Sequence, residues 1–115
     1  MKKIAIIGSG SWGMALGIYL ANMGNNISVW SYDEEEKREI NEERRCRYLP
    51  DISIPEKIRC FSNFEQVLED AEIILHVTPS RFTRQTLKKY KEYVKDNQMI
   101  VMCSKGFEAD TLMLL

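Results

Sequence analysis

The chain has 115 residues, of which 44% are hydrophobic and 29% charged, and its formal net charge is −1. A near-neutral balance gives no basis for a nucleic-acid or anionic-membrane partner, and no apolar run approaches the ~20 residues needed to span a bilayer. One domain is the natural count, and a domain of this size buries roughly two-thirds of its unfolded surface, enough for a real core. Met1-Lys2-Lys3 begins like a secretory signal, but the apolar stretch behind it reaches glycine after four residues, so no signal peptide is read. Cys46, Cys60 and Cys103 are odd in number, widely spaced and form no C-x-x-C pair. They are expected as free thiols in a reducing cytoplasm, and with a single histidine they make no metal set.

The first strand is predicted over residues 3–7. It runs straight into Gly8-Ser9-Gly10-Ser11-Trp12-Gly13, a G-x-G-x-x-G turn, and a helical pattern follows from Ser11 to about Met23. Strand, glycine turn and helix in that order form a dinucleotide-binding fingerprint. Gly8 would let the chain leave the strand in a tight turn. Gly10 would remove a side chain where a pyrophosphate lies, and Gly13 would let helix and strand pack closely. On the helix, Leu16, Tyr19, Leu20 and Met23 share one side at helical spacing. Gly24 stands at the position that ends it.

A second strand is expected over residues 27–30. Asp33 reads as the N-cap of the next helix, with Glu34, Glu35 and Glu36 as a solvated first turn. That helix should end near Arg44-Arg45, and residues 46–55, marked by Pro50 and Pro55, read as a loop. A short third strand covers residues 58–61. Ser62 or Asn63 caps a short helix through Leu68, with Phe64, Val67 and Leu68 inward. Residues 73–77 form a fourth strand buried on both faces. A helix over about 81–94, a fifth strand over 99–103, the exit loop Ser104-Lys105-Gly106-Phe107 and the start of another helix at 110–115 complete the reading.

Alternating strands and helices predict an α/β fold: a Rossmann-like, doubly wound parallel sheet of order 3-2-1-4-5, incomplete at its C-terminal end. The ligand crevice should lie at the carboxyl ends of the first and fourth strands. An uncapped apolar helix start at Thr111–Leu115 and no sixth strand suggest the dinucleotide-binding domain of a longer enzyme, occupying residues 1–115.

The end of the second strand bears on cofactor choice. Asp33 has the residue count of a ribose-binding carboxylate but is better explained as an N-cap. Ser31 and Tyr32 can hydrogen-bond a ribose or a phosphate without repelling either, and neither position holds an arginine for a 2′-phosphate. NAD and NADP both stay open. Lys105-Gly106 follows the fifth strand on the sheet edge that carries the glycine turn, where a lysine can reach an anionic or carbonyl-bearing substrate. His76 is read as a satisfied core or crevice-lining residue rather than an acid–base group. Trp12 either covers the pyrophosphate region or packs against a further domain.

Together these residues resemble the N-terminal part of bacterial NAD(P)-dependent glycerol-3-phosphate dehydrogenases. The resemblance rests on Gly8-Ser9-Gly10-Ser11-Trp12-Gly13, on Val29-Trp30, on Ile40-Asn41 followed by Tyr48-Leu49-Pro50 and Ile54-Pro55, and on Ser104-Lys105-Gly106-Phe107-Glu108. It covers essentially this whole chain and about the first third of a family member. It implies an enzyme that interconverts glycerol 3-phosphate and dihydroxyacetone phosphate by hydride transfer with NAD or NADP, in the cytoplasm, for phospholipid synthesis. It further implies that Ser11, Trp12 and Tyr48 contact the dinucleotide, that Tyr32 stands where the family often has a basic residue, and that Pro79 closes the crevice beside the nicotinamide. Lys105 would meet both cofactor and substrate, with Gly106 beside it. The family's proton-accepting lysine lies in a C-terminal helical domain with no counterpart here, so the chain alone is expected to be inactive. A homo-oligomer stays open for the full-length enzyme. Cys46 in place of an asparagine and Thr78 in place of an apolar residue depart from the pattern. Two alternatives remain at this level. One is another dehydrogenase of the superfamily, acting on 3-hydroxyacyl-CoA, 6-phosphogluconate or a nucleotide sugar; the other is a non-catalytic nucleotide-binding module.

Overall fold

In the computed structural model the described residues are 2–8, 10–77 and 83–102. Lys3–Ile7 forms β1, Ser11–Asn22 forms α1 and Asn26–Trp30 forms β2. Helix α2, Glu34–Arg38, passes without a break into one π-helical turn, Glu39–Glu43. Two short strands follow, β3 at Arg45–Cys46 and β4 at Leu49–Ser53, then β5 at Ile58–Phe61 and α3 at Phe64–Leu68. Strand β6, Ile73–His76, helix α4, Thr83–Tyr90, and strand β7, Met99–Met102, complete the described chain.

The main sheet has five strands in the order β5-β2-β1-β6-β7, every pair parallel. With the strands renumbered for the short pair β3 and β4, this is the order expected from the sequence. The chain builds outward from β1 in one direction through β2 and β5, then in the other through β6 and β7. The reversal falls between β1 and β6, which stay paired to Ile7 and His76, and it is at the carboxyl ends of such a pair that a doubly wound sheet binds its ligand. Register places Ile7 opposite Trp30 on one side and opposite His76 on the other.

Alternation along β1 sorts the core into two layers, because successive side chains on a strand point to opposite faces. Ile4 and Ile6 face α1, in a cluster with Met14, Ala21, Ile27, Val29, Ile40 and Ile58. Ala5 and Ile7 face the other way, with Val67, Leu68, Ile74 and Tyr90.

Three expectations are corrected. The buried residues of α1 are Gly13, Met14, Gly17 and Ala21, whereas Tyr19 and Met23 are exposed and Leu16 and Leu20 only partly covered. The cause is the glycine face. A Cβ on Gly17 would stand 3.2 Å from Ile6 Cδ1 and 3.6 Å from Ile27 Cγ2, so the helix lies on the sheet through Gly13 and Gly17, with Met14 and Ala21 filling the core beside them. Second, residues 46–55 are not a plain loop, since β3 and β4 pair antiparallel across them. Cys46 and Ile54 are buried in the α1-side core and draw this ribbon against it, and a two-stranded ribbon is all edge, which tolerates Pro50. Third, the acidic turn is not wholly solvated: Glu36 is buried and accepts a 2.6 Å hydrogen bond from Ser31 Oγ. The helix expected to reach residue 94 is α-helical to Tyr90, then tightens to a 3₁₀ turn at Lys91–Tyr93. Expectations for residues 78–82 and 103–115 lie outside the described residues.

Several elements end as the sequence indicates. Gly24, at φ +99°, closes α1 in a Schellman motif, with Gly24 N–H donating to Ala21 O at 3.0 Å and Asn25 N–H to Leu20 O at 3.3 Å. Asp33 Oδ1 accepts from Glu35 N–H and Glu36 N–H, and Asn63 Oδ1 accepts from Gln66 N–H. The edge of β5 is protected by a side chain: Asn41 donates to Cys60 O at 2.8 Å and accepts from Cys60 N–H at 2.7 Å, standing in for a neighbouring strand. Cys46 and Cys60 are free and buried, and burial pushes the Cys60 thiol up to about 12.

Beneath the sheet an aromatic row joins β2 to β6. Trp30 stacks on Phe64 at 4.6 Å, Phe64 meets Tyr90 at 5.6 Å, and Tyr90 Oη lies 2.7 Å from His76 Nδ1. His76 is fully buried, and burial lowers its pKa to about 4. The unfolded chain's imidazole takes a proton near pH 6.5, whereas the folded one stays neutral down to about pH 4. Stability from this burial is therefore complete above pH 6.5 and lost as pH falls toward 4, by on the order of 3 kcal/mol. Urea unfolding of wild type and of the His76→Val/Tyr90→Phe pair across that window checks it. The wild-type slope should disappear in the pair, and an unchanged slope would assign it to other groups.

Candidate functional site

Two chain reversals meet at the carboxyl edge of the sheet, and the first is the glycine turn. Gly8 has φ +129°, a conformation that L side chains rarely adopt, and it turns the chain off β1. At Gly13 a Cβ would stand 2.6 Å from Gly8 O and 3.6 Å from Ile6 Cγ2, so the backbone of α1 rests against the end of β1. Gly10 differs: a Cβ there would meet nothing within 4 Å. The turn thus has one glycine for conformation, one for contact and one that faces open space.

The helix that follows begins on the open side. Gly10 is the N-cap and supplies no side-chain hydrogen bond, and the α-helical ladder opens with Met14 N–H to Gly10 O at 2.9 Å. The N–H groups of Ser11 to Gly13 stand ahead of that ladder, and no acidic side chain lies in the first turn to offset the positive pole of the helix. Ser11 and Trp12 are exposed there, Trp12 by 51%. This arrangement suits an anion with a bulky organic neighbour.

The second reversal is the exit from β2, beside the first because β2 pairs with β1. Ser31 is buried, its hydroxyl donating to Glu36 and accepting from Asp33 N–H at 3.2 Å. It therefore braces the turn rather than facing outward, a role its sequence position did not disclose. Tyr32 is 83% exposed, with its ring centroid 6.2 Å from that of Trp30 at the end of β2. Arg47, in the turn between β3 and β4, reaches back to this exit. Its Nη1 lies 3.4 Å from Asp33 Oδ2 and its Nε 3.2 Å from Glu39 Oε1. That tie holds the ribbon, with half-exposed Tyr48 next in the chain, to the end of β2.

Gly8, Gly10, Ser11, Trp12, Gly13, Ser31, Tyr32 and Tyr48 thus come from three neighbouring segments linked by β-pairing and by the Arg47 ion pairs. Pro79, Lys105 and Gly106 lie outside the described residues. The strands that lead to them, β6 and β7, end level with each other, with His76 opposite Met102. Among the described residues no three His, Cys, Asp or Glu side chains gather as a metal site.

Known proteins resemble this chain over nearly its whole length. The family model described as NAD-dependent glycerol-3-phosphate dehydrogenase N-terminus matches residues 3–115. A glycerol-3-phosphate dehydrogenase (NAD(P)+) of Fusobacterium nucleatum is 41% identical over 114 residues, 97% of this chain and 34% of that protein. One from Lactobacillus delbrueckii is 39% identical over 115 residues, again 34% of its length. The crystal structure of glycerol-3-phosphate dehydrogenase from Coxiella burnetii superposes with a TM-score of 0.86 at 32% identity, over 96% of this chain and 34% of that one. The chain therefore spans about a third of the length of these relatives.

The second and third glycines of the turn should separate binding from stability. Gly13→Ala forces a Cβ onto the Gly8 carbonyl and should cost about 1–3 kcal/mol in urea unfolding. Gly10→Ala should cost less than about 1 kcal/mol yet weaken dinucleotide binding by about tenfold or more, equivalent to about 1.4 kcal/mol. A Gly13→Ala chain as stable as wild type would remove the close contact as a constraint. Undiminished binding by Gly10→Ala would move the anion elsewhere.

Proposed function

Because the chain belongs to the NAD-dependent glycerol-3-phosphate dehydrogenase family, through that family's N-terminal region, we propose that residues 1–115 form the dinucleotide-binding part of such an enzyme. The observation that carries the reading is the anion-ready start of α1 beside the open face of Gly10. The full-length enzyme would interconvert glycerol 3-phosphate and dihydroxyacetone phosphate with NAD or NADP, in the cytoplasm and in support of phospholipid synthesis. Glycerol 3-phosphate or dihydroxyacetone phosphate is the small-molecule partner, and a homo-oligomer is compatible with the full-length protein.

The nicotinamide, when bound, supplies the hydride chemistry. The chain's own residues bind and orient. The N–H groups at the start of α1 hold the pyrophosphate, Trp12 lies alongside it, and Tyr32 and Tyr48 flank the adenosine end. Ser31 contributes indirectly, through its bond to Glu36, by fixing the exit of β2. Pro79, Lys105 and Gly106 are assigned to the nicotinamide and substrate end, with Lys105 countering the substrate's negative charge. The hydroxyl proton of glycerol 3-phosphate passes to a lysine in the C-terminal helical domain. Binding and chemistry are in this way divided between two parts of one enzyme.

The purified 115-residue chain should therefore bind NADH in calorimetry and fail to oxidise it in the presence of dihydroxyacetone phosphate. Absence of binding at millimolar cofactor would overturn the dinucleotide assignment. Turnover by the isolated chain would overturn the division of labour.

A further inference from the structure

The end of β2 carries an arrangement of charge that bears on which dinucleotide fits. In a doubly wound fold this is where the adenosine ribose lies, and where a 2′-phosphate, when present, needs a cation. Tyr32, the exposed residue at that point, is neutral. Three cations of this region are in ion pairs. Lys37 Nζ lies 3.4 Å from Glu34 Oε1, Arg38 is bound by Glu35, and Arg47 is held between Asp33 and Glu39 at 3.4 and 3.2 Å. Carboxylates outnumber these cations, so the local field opposes a further dianion.

Asp33 is the centre of the arrangement. One carboxylate oxygen caps α2, accepting from Glu35 N–H at 2.9 Å and Glu36 N–H at 3.2 Å, while the other faces Arg47. It thus supplies negative charge at the ribose end and also engages Arg47, which the β3–β4 turn brings there. A guanidinium has five N–H donors, and the two contacts use only Nε and Nη1. Arg47 therefore has the donors to meet a phosphate, but its charge is offset by Asp33 and Glu39.

We propose that the Asp33–Arg47 pair makes this site select NAD(H) over NADP(H): Asp33 repels the 2′-phosphate and neutralises the arginine that could bind it. This rests on the dinucleotide reading and deepens it, since family membership leaves the two cofactors undistinguished. Selection here works by charge and by capture of a cation. It differs from an aspartate that hydrogen-bonds the ribose, because both oxygens of Asp33 are engaged by the protein.

Asparagine is as good an N-cap as aspartate, so Asp33→Asn removes the charge and keeps the helix start. Titration of the 115-residue chain with NADH and NADPH at one fixed ionic strength tests the proposal. Wild type should bind NADH at least about tenfold more tightly, a gap of about 1.4 kcal/mol. Asp33→Asn should close most of that gap by improving NADPH binding, with a smaller change for NADH. Adding Arg47→Ala to Asp33→Asn should remove most of the improvement. Glu39→Gln, which leaves the cap untouched, should shift the ratio the same way by less, and decides the matter if Asp33→Asn fails to fold. Equal or tighter NADPH binding by wild type, or a ratio unmoved by both variants that release Arg47, would overturn the proposal while leaving the dinucleotide site standing. Failure of wild type to bind either cofactor would overturn the dinucleotide reading itself.

Discussion

The contact between Gly13 and the carbonyl of Gly8 is the constraint from which the rest of the site follows. At 2.6 Å from a hypothetical Cβ to Gly8 O there is no room for any side chain, so α1 must begin directly above the end of β1. Once the helix starts there, its first-turn N–H groups stand at the carboxyl edge of the sheet, and a Cβ on Gly10 beside them would meet nothing within 4 Å. Gly17 continues the close approach one turn later against Ile6 and Ile27. The helix is therefore seated through Gly13 and Gly17 with Met14 and Ala21 buried beside them, while Tyr19 faces solvent.

A seat of this kind needs a rigid sheet beneath it. Ile7 lies between Trp30 and His76 in register, and those two residues are joined under the sheet through Phe64 and Tyr90. The same aromatic row that packs the lower layer thus fixes both strand ends that flank β1. Above the sheet, Asn41 clamps the β5 edge and Arg47 ties the ribbon to the β2 exit, so the segment carrying Tyr48 is placed by polar contacts on a hydrophobic base of Cys46 and Ile54.

How much of this was legible depended on whether the cause is local. The glycine turn, the Asp33 and Asn63 caps, the Gly24 stop and the parallel strand order are set by residues close in sequence or by strand–helix alternation, and all could be read from the chain. The ribbon at residues 45–53 could not, because Pro50 signals a break while its pairing depends on Cys46 and Ile54 meeting a core built elsewhere. The burial of Glu36 is hidden in a run of three glutamates that differ only in which side of the helix meets Ser31. Leu16, Tyr19, Leu20 and Met23 make a convincing apolar side, but the glycine side can approach the sheet more closely, and distance of approach is not a property of periodicity. For Ser31, Tyr32 and Tyr48 the sequence indicated the neighbourhood, and only the packing distinguished the buried brace from the exposed aromatics.

We place the dinucleotide pyrophosphate at the start of α1. Amide chemical shifts of the 15N-labelled chain, followed while NADH is added, test it most directly because each backbone N–H reports on itself. The largest saturable shifts are expected at Gly10 to Gly13, with smaller ones at Tyr32 and Tyr48. Saturable shifts confined to residues away from the glycine turn, or none at millimolar NADH, would contradict it.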